Sequence, residues 1–145
     1  LSKIKINMYE ILDHTADIKI RIQSINLFDF FRDLIFALKD IINYDSNSLN
    51  DSKIRNNIKN IKVVLSDFDD YQKIFNFISK FIYYLDAKSI LIEDINYIKL
   101  KESSWELSLK GLKIDKKKFK GYLKAPTYCD FNFKSQFYLE VIIDV

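Results

Sequence analysis

The run Ile18-Lys19-Ile20-Arg21-Ile22-Gln23 alternates apolar with charged or polar side chains, the period of a strand with one buried and one wet face. Directly after it, Asn26 precedes Leu27, Phe30, Phe31, Leu34, Ile35, Leu38, Ile41 and Ile42, which recur at helical spacing. Asparagine is a good N-cap, so an amphipathic helix is predicted to start there. Further along, Asp69 with Gln72 three positions later has the form of a capping box. Behind it Ile74, Ile78, Phe81, Ile82 and Leu85 form one stripe, widened by Phe75 and Phe77, which predicts a second helix. Between the helices, residues 43–60 are rich in Asn, Ser, Asp and Lys and read as a flexible loop that runs into a strand at 61–65. Beyond Asp86, short alternating runs predict strands at 90–92, 95–100, 105–109, 131–133 and 137–143. The βα alternation is too incomplete for a doubly wound sheet. The expected class is therefore α+β, one compact domain over 1–145 with two main amphipathic helices packed on one face of a mostly antiparallel sheet.

Composition narrows the chemistry. A chain of 145 residues that is 48% hydrophobic can bury a core without staples, so folding is expected to need no cofactor. One cysteine (Cys129) and one histidine (His14) exclude a disulfide framework, a Cys-rich zinc site and a His-His metal site within one chain. With only Gly111 and Gly121 there is no phosphate-cradling glycine loop, no dinucleotide fingerprint and no G-x-S-x-G turn. The net charge of +3 is too small to name a nucleic-acid or membrane partner. No apolar run approaches the roughly 18 residues that cross a bilayer, and the opening residues lack a signal-peptide core, so a soluble, cytoplasmic protein is expected. Two readings of residues 1–7 stay open: an upstream extension, or residues ahead of a natural start at Met8.

The densest polar cluster is Asp13-His14-Thr15-Ala16-Asp17. If it is one extended run, Asp13, Thr15 and Asp17 share a face, offering hard oxygens suited to Ca²⁺, Mg²⁺ or Mn²⁺. The same residues also suit Asx-type turn bonds at a loop. At the other end, a strand runs into Asp144 and Val145, where an acidic side chain beside a terminal carboxylate either collects oxygen ligands or merely closes a solvated strand end. Lys113, Lys116, Lys117, Lys118, Lys120 and Lys124, with Phe119 and Tyr122 among them, are either a solvated loop or a contact for phosphate or acidic protein. Lys124 stands apart, because Pro126 stiffens the approach to it by holding Ala125 extended. Cys129 has no neighbouring base to activate it, and Trp105 reads as a core residue.

Tyr9-Glu10-Ile11-Leu12-Asp13-His14-Thr15-Ala16-Asp17-Ile18 resembles the opening signature of the archease family. Three further stretches fall in the family's order: 77–86, Lys124-Ala125-Pro126-Thr127-Tyr128, and Ile143-Asp144-Val145. The resemblance implies a small α+β protein that activates RtcB-type RNA ligases in tRNA splicing or RNA repair, itself an accessory factor and not an enzyme. It would promote the ligase's GTP- and metal-dependent guanylylation and repeated turnover. It also implies a divalent cation, calcium first with magnesium or manganese as alternatives, held by Asp17, Asp144 and Val145. His14 and Lys124 match family positions and are candidates for the surface that meets the ligase, with tRNA or broken RNA involved only indirectly and no membrane. The sequence departs from the pattern at Lys19, where the family has glycine, at Cys129 in place of histidine, at Phe119 where an Arg-His pair would end, and at Lys80 where an acid is common. Two other functions compete: an autonomous metal-dependent phosphoesterase with His14 as base, and a small RNA-binding module built on the lysine segment.

Overall fold

The computed structural model describes residues 8–14, 17–42, 58–115, 123–132 and 137–144. In chain order these form β1 (Met8–His14), β2 (Asp17–Ser24), α1 (Leu27–Ile42), β3 (Ile58–Leu65), α2 (Asp70–Lys88), β4 (Ile90–Leu100), β5 (Trp105–Lys113), β6 (Ala125–Asn132) and β7 (Phe137–Asp144). The class is α+β. The strands divide into two sheets rather than the single one expected: a four-stranded sheet in the order β1-β2-β7-β6 and a three-stranded sheet in the order β3-β5-β4. Every pairing is antiparallel. Helix α1 touches β1 and β2 of the first sheet and β4 of the second, while α2 touches β6 of the first and β3 and β4 of the second. The two helices thus tie the sheets into one core. No described helix is long and apolar enough to cross a membrane.

The elements form where local chemistry asks for them. In β2, Ile20, Ile22 and Ser24 are buried while the residues between them are partly exposed. The whole predicted stripe of α1 is buried, and the Asn26 side-chain oxygen accepts from the Asp29 N–H at 2.8 Å as an N-cap should. At the start of α2, Asp69 accepts from the Gln72 N–H at 2.7 Å. The reciprocal half of the capping box is not made, since Gln72 donates its side-chain amide to Asn76 instead. That helix ends on Ser89 in the left-handed region at φ 52°, a conformation costing a non-glycine residue about 1 kcal/mol. It lets the chain pass from α2 to β4 through one residue. Phe31 is the hub of the core, with its ring edge-on to Phe30, Phe77 and Trp105 at 5.5, 4.9 and 5.9 Å. Trp105 is buried, as a core residue should be.

Three strands differ from expectation. β3 starts at Ile58, inside the expected 43–60 loop, because β5 is long enough to pair Ile58 with Leu112. Residues 58–60 are all exposed, so no burial pattern announced them. The two runs 90–92 and 95–100 are one strand, β4, with register shifts after Ile92 and Ile95 that break its period. β6 begins at Ala125 rather than 131, so that Cys129 lies within it. Proline is tolerated in β6 because the strand is at a sheet edge, and the register shifts between Pro126 and Tyr128. Residues 1–7, 15–16, 43–57, 116–122, 133–136 and Val145 lie outside the described residues.

Candidate cation site at one end of the four-stranded sheet

The cluster around Asp17 is not one extended run. β1 and β2 are antiparallel, with His14 opposite Asp17 and Asp13 opposite Ile18, so the chain reverses between residues 14 and 17. Grouping Asp13 with Asp17 on one face by strand alternation therefore fails, and Thr15 lies outside the described residues. Asp17 stands instead against two other chain segments. Across β2 and β7 it is the register partner of Asp144, and Asp144 is in turn the partner of Ala125 on β6. His14, Asp17, Asp144 and Ala125 thus form one row across all four strands. The Lys124 N–H closes its end by donating to the Asp144 carbonyl at 2.9 Å. His14 is placed by its backbone register alone, Lys124 is exposed, and Asp17 and Asp144 are half-buried.

Directly opposed residues on antiparallel strands have Cβ atoms about 4.5–5.5 Å apart, and like charges there repel. Two carboxylates in that relation are hard oxygen donors that fit a hard cation, which relieves their repulsion, and are unsuited to a soft metal. Among the described residues, no group of three or more His, Cys, Asp or Glu side chains gathers in a metal-holding arrangement. Asp17 and Asp144 by themselves supply only two such side chains, and Val145, the remaining residue expected beside them, lies outside the described residues.

Beside this pair is a polar network that the sequence did not single out. The Glu140 carboxylate on β7 meets the Lys19 ammonium at 2.9 Å and Arg21 at 3.2 Å, and accepts from the Tyr138 hydroxyl at 2.9 Å. The Lys19 hydrogen bond, aided by those from Tyr138 and Arg21, holds the Glu140 carboxyl below the usual carboxylate range against the opposing effect of burial. Burial, then the bond to Glu140, pushes the Tyr138 phenol up. The period-two pattern of 17–23 and 137–144 places these residues on the wet face with Asp17 and Asp144, yet which of them meet depends on a register that no single strand encodes. On β1, the Tyr9 hydroxyl donates to Asp40 of α1, and burial followed by that carboxylate pushes its pKa up to about 12.

The other candidates are placed elsewhere or fall outside the described residues. Lys113 donates to the Lys88 carbonyl at 2.9 Å and so serves the α2–β4 junction. Lys116, Lys117, Lys118, Lys120, Phe119 and Tyr122 are outside the described residues. Lys80 lines a groove of about 500 Å³ with Val64, Asp67 and Tyr83.

A model of the archease protein family (MTH1598/TM1083) matches residues 9–145. The chain belongs to the archease family. The solution structure of protein 1598 from Methanobacterium thermoautotrophicum matches this archease chain with a TM-score of 0.67, at 15% identity, over 94% of this chain and 98% of that one. At that identity the likeness speaks for the fold. No curated protein matches the chain.

Proposed function

We propose that this archease-family protein is an accessory factor, not itself an enzyme, that activates an RtcB-type RNA ligase in the cytoplasm, promoting its GTP- and metal-dependent guanylylation and multiple turnover in tRNA splicing or RNA repair. The observation that carries the reading is the row His14, Asp17, Asp144 and Ala125, with Lys124 at its end. It gathers at one end of one sheet three segments, far apart in the chain, whose residues carry the family resemblance. A divalent cation, calcium first and magnesium or manganese otherwise, would be held by Asp17 and Asp144, with Val145 and water completing the 6–8 oxygens that calcium takes. When bound, the ion supplies a fixed double positive charge at this end of the sheet. His14 and Lys124 stand by backbone register at either side of the pair and are the candidates for the surface that meets the ligase.

Reconstitution with the cognate ligase, guanine nucleotide and metal tests the reading. Wild-type protein should raise both guanylylation and the number of turnovers, and Asp17→Ala should reduce that activation by about tenfold or more. Guanylylation that is unchanged on adding wild-type protein defeats the proposal.

A further inference from the structure

Lys19 is the register partner of Ile142, so its diagonal neighbours on β7 are Glu140 on one side and Asp144 on the other. Diagonal positions are about 7–8 Å apart, within reach of a long side chain. Asp17 lies two residues back on its own strand, about 7 Å away. One flexible ammonium thus has three carboxylates within range. It sits on Glu140, at 2.9 Å from Oε1. That carboxylate is itself fixed, because its other oxygen accepts from Arg21 Nε and Nη2 at 3.3 and 3.2 Å and from the Tyr138 hydroxyl at 2.9 Å. Glu140 is the more enclosed partner, its side chain 19% exposed against 27% for Lys19. An ammonium and a divalent ion at the Asp17–Asp144 pair would compete for the same oxygens.

We propose that Glu140 is a positioning residue that holds the Lys19 ammonium away from the Asp17–Asp144 pair, keeping a tethered competitor off the cation site. The inference rests on the cation reading above and adds a control to it. With Glu140 in place, Lys19 is already neutralised and its removal changes little. Without Glu140, Lys19 moves to the aspartates and opposes the ion, so its removal then matters.

Calorimetric titration with calcium chloride of wild type, Glu140→Gln, Lys19→Met, the double variant and Asp144→Asn decides the matter. Glu140→Gln should bind calcium about tenfold more weakly. Lys19→Met should stay within about threefold of wild type, and the double variant should recover to within about threefold of it. That recovery also separates the mechanism from simple damage to the fold, which removing Lys19 would not repair. If Lys19→Met changes affinity by the same factor in both backgrounds, or the double variant stays as weak as Glu140→Gln, the inference is overturned while the cation reading stands. If wild type binds no calcium, or binding is insensitive to Asp144→Asn, both fall.

Discussion

Among the described residues, each sheet carries an acidic residue gripped by two cations, and the two stand in different surroundings. In the four-stranded sheet Glu140 collects Lys19, Arg21 and the Tyr138 hydroxyl. In the three-stranded sheet Glu106 meets Lys101 at 3.2 Å and Lys62 at 3.9 Å. Both carboxyls are held below the usual range, each chiefly by a hydrogen bond from a lysine. The neighbourhoods set them apart. Glu106 is opposite Val64 on one side and Lys99 on the other, so its surroundings offer its cations no opposed pair of acids. Glu140 lies four residues before Asp144 on the same strand and the same face, where two aspartates are register partners. One cluster stands away from any opposed acids, whereas the other lies beside the pair proposed to hold the ion.

The largest effect on this comparison comes from breaking the join between its two halves. Phe31→Ala removes the ring that links α1 to Phe77 of α2 and Trp105 of the second sheet, and should cost about 3–5 kcal/mol. Because both sheets share that core, denaturant unfolding followed by far-ultraviolet circular dichroism should show one transition shifted as a whole. A smaller loss of about 1 kcal/mol is expected for Asp69→Ala, which removes the cap of α2 while leaving both charge clusters intact.

Acid titration sharpens the contrast further. A carboxyl whose pKa is depressed by folding adds stability above its unfolded value of about 4.3, and that contribution disappears as pH falls through the folded value. Glu140→Gln and Glu106→Gln should therefore each flatten the fall in stability below about pH 4, measured as the melting temperature against pH. Of the two, only Glu140→Gln should also alter calcium affinity. The smallest effect is at Tyr9, where the neutral phenol is favoured in the folded state. Its contribution is complete below the unfolded value of about 10 and is lost as pH rises through about 12. Ultraviolet titration should find a phenol with its midpoint near 12 that is lost in Tyr9→Phe.

What the sequence disclosed follows the physics of periodicity. β2, α1 and α2 were legible because each buries one face and exposes the other, and Asn26 and Asp69 punctuate the helices. The first residues of β3 were hidden because all three are exposed, and β4 was read as two pieces because its bulges shift the alternation. The division into two sheets depends on strand pairing, which is a property of the whole chain. The same limit applies at the site. Asp17 and Asp144 stood out because each lies in a stretch of family resemblance, but the local pattern set Asp17 beside Asp13 when its facing residues are His14 and Asp144. Glu140 carried no motif and Lys19 stood out only as a departure from the family's glycine, and their relation appears only once residue 19 is known to face residue 142.

The strand order has one more consequence. β2 and β7 are the two inner strands of their sheet, flanked by β1 and β6, so Asp17 and Asp144 belong to backbone that is paired on both sides. Both residues are also terminal in their strands, the first of β2 and the last of β7, so an ion held by their side chains would favour the paired form of that end over its frayed form. Calcium bound as proposed should therefore slow amide hydrogen exchange in both inner strands, acting as a clasp on this end of the sheet.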